Sequence, residues 1–317
     1  MKVPTYDAID VGEVLGPVDL LVDDHRVKQF AYATDDYYPP AFGNGRAEDG
    51  DERIAQAGLL VAPLLRLWNT RYDPDVDIGL HQKEEVWFES PLRVGEEVRL
   101  EGETTDKYIR RGKEYVVTES RATAASDGRT IVRHRATEIV EMNSTIKLGS
   151  GEATSAKGSG GAPARRVRAI YPTHTPPLTF ANPEAAPGVP IHAGPREIHQ
   201  AQMSVYSNVE EFWRTSHTDL ETAKRAGFEG TLAQALMGTM RISELGTELF
   251  GDAWFRSGWI SVSYLKPIYA GDSLEVFGVL VDRVEEGSSV ELEFEVWIEN
   301  QRKENVSVGW IGGTVGV

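Results

Sequence analysis

The clearest pattern in the chain lies at 289–298, SVELEFEVWI, where Val290, Leu292, Phe294, Val296 and Ile298 alternate with Glu291, Glu293, Glu295 and Trp297. A two-residue period predicts a strand with one face on a core and the other in water. Upstream the period changes. Residues 233–249, AQALMGTMRISELGTEL, hold good helix formers and no proline, and Leu236, Met240, Ile242, Leu245 and Leu249 leave few polar gaps. That spacing predicts a helix buried on most sides. Strand-like runs recur earlier, at 86–90, 97–106, 114–125 and 131–140. A mostly buried helix followed by antiparallel strands predicts an α+β domain whose sheet wraps around the helix.

Two stretches match at a fixed distance. Residues 86–98, VWFESPLRVGEEV, align with 262–274, VSYLKPIYAGDSL, so that Pro91 falls on Pro267, Gly95 on Gly271 and Asp106 on Asp282 at an offset of 176. Upstream, IAQAG at 54–58 resembles LAQAL at 232–236 at an offset of 178. The common order and nearly equal offset predict an internal duplication. Between the copies, 143–195 has neither a helical nor a two-residue period. Its Gly- and Ser-rich first part, NSTIKLGSGEATSAKGSGGAPARR, reads as flexible coil, and its Pro-rich second part, YPTHTPPLTFANPEAAPGVPIHAGP, as extended chain lying on a surface. The chain therefore divides into a first domain over 1–142, a linker over 143–195 and a second domain over 196–317. Within the linker, 149–162 is expected to be mobile and to be cut first by proteases.

Composition changes this picture mainly by exclusion. At 317 residues the chain is long for one core and comfortable for two domains. No run approaches the roughly 18 apolar residues of a membrane span, and the start, MKVPTYDAIDVGEVLG, lacks the basic region and apolar core of a secretion signal. No membrane association is expected. The absence of cysteine excludes disulfides and thiolate metal sites and fits a cytoplasmic protein. A net charge of −16 argues against a nucleic-acid partner and requires a local basic patch for any anionic ligand. His25, His81, His134, His174, His192 and His199 show no metal-ligand spacing, so no metal site is expected. There is no phosphate-cradling Gly loop and no Gly-x-Ser-x-Gly elbow.

Candidate chemistry is concentrated at 212–236, FWRTSHTDLETAKRAGFEGTLAQAL. Asp219 is a good N-cap for a short helix over 220–226, and Gly227 a good stop for it. His217 lies just before that cap, in a loop leading to the long helix. An imidazole there is the natural acid/base at neutral pH, and the N-terminal N–H groups of the long helix suit a developing oxyanion.

The stretch SHTDLETAKRAGFEGTLAQALMGTM, followed by VSYLKPIYAGDSL, resembles the MaoC-like, (R)-specific enoyl-CoA hydratase family. The resemblance covers most of 196–317 and, more faintly, 20–140. It implies the hot-dog fold, a long helix wrapped by an antiparallel sheet, here as a tandem double hot dog of α+β class. The family pattern is an Asp, then Asn-Pro and His-x-Asp, then Gly-Phe and an (Ala/His)-Gly at the start of the central helix. By that resemblance His217 falls on the catalytic histidine, Asp219 on the acid of His-x-Asp, and Gly227-Phe228 on Gly-Phe. Ala235 takes the place of the glycine whose backbone N–H polarises the thioester carbonyl, and Ser243 that of a serine lining the pocket. Two positions depart: Phe212 stands where the family has its catalytic aspartate, and Arg214-Thr215 replace Asn-Pro. Glu211, beside Phe212, is a candidate substitute. In the first copy, FAYATDDYYPPAF puts Asp36 on the aspartate position but Ala41 on the histidine. Each copy holds half of the pair, and the fold implied by the resemblance sets the halves on opposite sides of a pseudo-twofold axis.

The activity so implied is hydration of a 2-enoyl thioester, or the reverse dehydration, with His217 as acid/base and the N–H near Ala235 holding the enolate-like oxygen. No cofactor is implied. CoA or acyl-carrier thioester is the substrate, with Arg214, Arg241 and Lys266 the candidate partners of its phosphates, and the implied assembly is a homodimer of double hot dogs. Phe212 keeps other readings open: a non-catalytic acyl-thioester-binding protein or partner subunit, or a thioesterase on the same fold.

Overall fold

Alternating apolar positions along ten strands build one continuous antiparallel sheet in the computed structural model, which describes residues 1–43, 52–73, 79–110, 112–140, 169–207 and 214–316. The first half contributes β1 (Val14–Leu21), α1 (Asp24–Thr34), α2 (Pro39–Phe42), α3 (Val61–Leu65), β2 (Leu80–Phe88), β3 (Glu97–Arg110), β4 (Lys113–Ala124) and β5 (Thr130–Ile139). The second contributes β6 (Pro190–Glu197), α4 (Gln200–Ser207), α5 (Leu220–Arg225), α6 (Ala235–Phe250), α7 (Trp254–Ser257), β7 (Trp259–Tyr264), β8 (Ser273–Glu286), β9 (Ser289–Glu299) and β10 (Asn305–Gly316). Strand order across the sheet is β1-β3-β4-β5-β2-β7-β10-β9-β8-β6. Read outward from the β2–β7 seam, each half runs through the same succession of strands. At the seam Glu85 pairs with Ser261 and Val86 with Ile260.

The internal duplication extends to single hydrogen bonds. Ile54 bridges Arg93 in the first copy and Leu232 bridges Tyr269 in the second. Gly95 N–H donates to Val22 O at 2.6 Å, and Gly271 N–H to Ile198 O at 2.8 Å. Both glycines sit at positive φ, +93° and +88°, where a side chain is strained. Strand register shifts just before Asp106 in one copy and just before Asp282 in the other.

The helices break the symmetry. In the second half, α6 runs for 16 residues and buries Leu236, Met240, Ile242, Leu245 and Leu249, as the apolar spacing requires. In the first half the same place holds a 3-10 turn (Ala57–Leu60), five residues of α3 and a second 3-10 turn (Arg66–Thr70). Pro63 lies inside this stretch and has no N–H to give to a helical ladder. The two helical layers touch: a Cβ on Gly58 would come within 2.3 Å of Met240 Sδ. Trp254, fully buried, stacks on Phe250 at 5.6 Å and meets Phe88 of the first half at 5.4 Å.

Two expectations need correction. Residues 190–195, assigned to the linker by composition, form most of the edge strand β6, which pairs with β8. Gly194 and Pro195 hide its period, yet an edge strand tolerates Pro at a bulge, and its register shifts between Ala193 and Arg196. β1 has the same device at Gly16-Pro17. The outer face of β9 is also not all in water. Glu295 and Trp297 are buried under residues 169–171: Ala169 N–H donates to Glu295 Oε1 at 3.1 Å, and the Tyr171 ring stands edge-on to Trp297 and Phe277. The stretch expected to be mobile, 149–162, lies outside the described residues. No helix among the described residues is long and apolar enough to cross a membrane.

Candidate active site

Asp219 starts the construction of the site. Its Oδ1 accepts the N–H and the hydroxyl of Thr222, both at 2.8 Å, so it caps α5, and these bonds hold its carboxyl below the usual range. Gly227, at φ +90°, ends that turn and sends the chain back toward the sheet. Leu232 N–H then donates to Ser216 O at 3.0 Å, stapling the histidine loop to the segment that enters α6. Within the loop His217 N–H donates to Thr215 Oγ1 at 3.2 Å, and Gln200 Nε2 donates to His217 O at 3.0 Å. The ring is fixed as well: Nδ1 lies 2.8 Å from Leu232 O. A carbonyl only accepts, so Nδ1 carries a hydrogen and donates it to Leu232.

His217 lines a cavity of about 450 Å³ at the junction of the two halves, together with Ala235 and Leu236 at the start of α6. The N–H groups of these first helical residues have no intrahelical carbonyl, and they sit at the positive end of a 16-residue helix dipole. An imidazole oriented through its Nδ1–H thus shares one cavity with the backbone N–H groups of a helix start. The facing wall comes from the first copy and includes apolar Leu65, Trp68 and Ile139 as well as His81 and Glu138.

Of the candidate site residues read from the sequence, His217, Phe228, Ala235, Arg214 and Lys266 line this cavity. Lys266 also pairs with Glu304 at 2.7 Å. The others do separate work. Ser243 is buried and accepts a hydrogen bond from Trp254 Nε1 at 3.3 Å, so it steadies the core rather than the cavity. Arg241 pairs with Glu244 and donates to Gly194 O at 3.0 Å. Glu211 and Phe212 lie outside the described residues. Asp36 is absent from the cavity walls. It is buried in the first copy near Glu244 and Arg196, where desolvation and the Glu244 charge push its carboxyl up to about 7. The matching helix start in that copy, at Gly58, is filled by Met240 and Phe30.

One cluster escaped the sequence reading. Glu84 is buried with its carboxylate 2.8 Å from His134 Nε2 and 2.9 Å from His81 Nε2. His134 Nδ1 lies 2.9 Å from Ser120 Oγ, and His81 pairs across the strands with Glu138. Burial alone would raise the Glu84 carboxyl, but the two imidazoles hold it below the usual value. Burial would depress His81, and Glu84 raises it instead. A signal existed: Glu84 shares its face of β2 with Val86 and Phe88, an acid on an otherwise apolar stripe.

These features define a double hot-dog protein with a cavity where the start of one central helix meets the other copy. The fold is that of MaoC-like dehydratases. A solved MaoC-like dehydratase superposes with TM-score 0.71 at 17% identity, over 98% of this chain and 99% of that one. A MaoC-like dehydratase from Phytophthora capsici gives TM-score 0.61 at 14% identity, covering 97% and 96%. A conserved hypothetical protein from Mycobacterium tuberculosis, described as essential for bacterial survival during infection and as having a double hotdog fold, gives 0.62 at 13%, covering 99% and 98%. No protein-family model and no curated protein matches the chain by sequence.

Proposed function

We propose that the protein is a hydratase or dehydratase of acyl thioesters, interconverting a 2-enoyl and a 3-hydroxyacyl thioester. The observation that carries this reading is that His217, oriented by its Nδ1 bond to Leu232 O, shares one cavity with the first N–H groups of α6. In the hydration direction His217 takes a proton from water and the water oxygen bonds to C3. The double-bond electrons move onto the thioester oxygen, which the N–H groups of Ala235 and Leu236 hold as an enolate, the point at which such sites gain most. C2 then takes a proton, completing the addition of one water. Arg214 and Lys266, which line the cavity along with Arg66 and Lys113, would meet phosphates of CoA or of a carrier-protein pantetheine. Phe212, where the family has an aspartate, favours a second reading, a thioester-binding protein without turnover. The two separate in an assay of absorbance loss across 2-enoyl-CoA chain lengths, with the reverse reaction on (R)-3-hydroxyacyl-CoA. Turnover supports the enzyme, and thioester binding without turnover at every length supports the second reading.

A further inference from the structure

We propose that Glu138 of the first copy, held beside the His81–Glu84–His134–Ser120 chain, is the carboxylic acid that works with His217 of the second copy across the shared cavity. This inference rests on the hydratase reading and supplies the proton donor which that reading leaves open. Glu138 and His81 are cross-strand partners on β5 and β2, and both line the cavity that His217 lines. The chain behind them is built rather than incidental. Glu84 touches both imidazoles at 2.8 and 2.9 Å, His134 reaches Ser120 at 2.9 Å, and His81 Nε2 also lies 3.1 Å from Lys83 O. Four polar groups in a row on the inner face of a sheet are costly to bury unless mutually satisfied. The fold itself does not require them, since the positions of the second copy that match Glu84, Ser120 and His134 are Ile260, Val296 and Gly309.

The charges facing Glu138 are His81, Glu84 and His134 from the sheet, and the same cavity also carries Arg66, Asp73, Lys113, Arg214, His217 and Lys266. Burial raises the Glu138 carboxyl, Glu84 adds to that rise and the two histidines oppose it. The acid form therefore persists to higher pH than in an ordinary glutamate. In the hydration step His217 accepts the water proton, the C3–O bond forms, and the carboxylic acid of Glu138 gives its proton to C2 as the enolate collapses. Transfer of the His217 proton back to Glu138 through solvent restores both groups, so that one water is consumed. His81 touches no reacting atom in this scheme. It is a positioning residue that sets the field at Glu138.

The test uses the full-length protein with short-chain 2-enoyl-CoA, reading kcat, KM and the pH profile of kcat for the wild type, Glu138→Gln, His81→Gln and His217→Ala. Glu138→Gln should lower kcat by about 100-fold or more with KM within a few-fold, and should abolish the alkaline limb of the profile. His81→Gln should keep most of kcat but move that limb to higher pH, because it removes a cation facing the acid. Glu138→Asp, which keeps the acid but draws it back, should lower kcat by about tenfold and retain the limb, and it carries the test if Glu138→Gln does not fold. Wild-type kcat and profile in either folded Glu138 variant, alongside an inactive His217→Ala, would overturn the role of Glu138 and leave the reaction standing. No turnover by the wild type of any enoyl- or hydroxyacyl-CoA would overturn the reaction, and the role of Glu138 with it.

Discussion

Asp36 and Asp219 belong to the two copies of one motif, and their surroundings give them opposite properties. Asp219 meets Thr222 at a helix start and stays ionised, whereas Asp36 is buried beside Glu244 with a carboxyl near 7. The cap was legible in the sequence because it depends on neighbours within three residues. The fate of Asp36 was not, because Glu244 and Arg196 reach it from the other copy. Linkage makes the difference measurable. Between the unfolded value near 3.8 and about 7, the unfolded chain has released the Asp36 proton while the folded protein keeps it, so stability falls as pH rises through that window. Asp36→Asn should remove this fall and stabilise the protein at pH 7 by on the order of a few kcal/mol, with little difference near pH 4. Denaturant midpoints at the two pH values check this, and equal differences at both would contradict it. Ser243 shows the same limit of sequence reading, since its partner Trp254 is fixed by packing that no local pattern encodes.

Among the elements, β9 and α6 could be read from period alone because the apolar positions of each keep their spacing from end to end. Strand β6 could not, because Gly194-Pro195 break its alternation and an edge strand needs only one neighbour. The first-copy helix was hidden in turn by Pro63, which splits it into short pieces. Glycines separate two kinds of constraint. At Gly271 nothing lies within 4 Å of an added Cβ and only the φ of +88° resists, so Gly271→Ala should cost about 1 kcal/mol, as should Gly95→Ala. At Gly246 an added Cβ would come within 2.4 Å of the Trp254 ring. Gly246→Ala should therefore cost more, about 1–3 kcal/mol, by displacing that ring. Thermal denaturation of the three variants ranks them, and an equal loss at Gly271 and Gly246 would contradict the packing account.

At the scale of the whole molecule, the β2–β7 seam joins two copies into one sheet, and the α6 layer packs on Gly58 across it. Neither half is closed without the other. Cleavage between residues 149 and 162 should therefore leave two fragments that co-elute on size exclusion, and fragments that separate would contradict a seam that holds them. The duplication itself was legible as a repeated Pro–Gly spacing. That the repeat yields one open site and one filled site was not, because the filling residues, Met240 and Phe30, come from different copies.

The central claim is that the duplicated chain works through one site, at His217. The most direct measurement is kcat/KM for hydration of a short 2-enoyl-CoA by the wild type, His217→Ala and Asp36→Asn. His217→Ala should lose about 100-fold or more, the usual scale for a general acid/base, while Asp36→Asn, at the filled quasi-site, should stay within a few-fold of the wild type. An unaltered rate in His217→Ala, or a comparable loss in Asp36→Asn, would contradict the account.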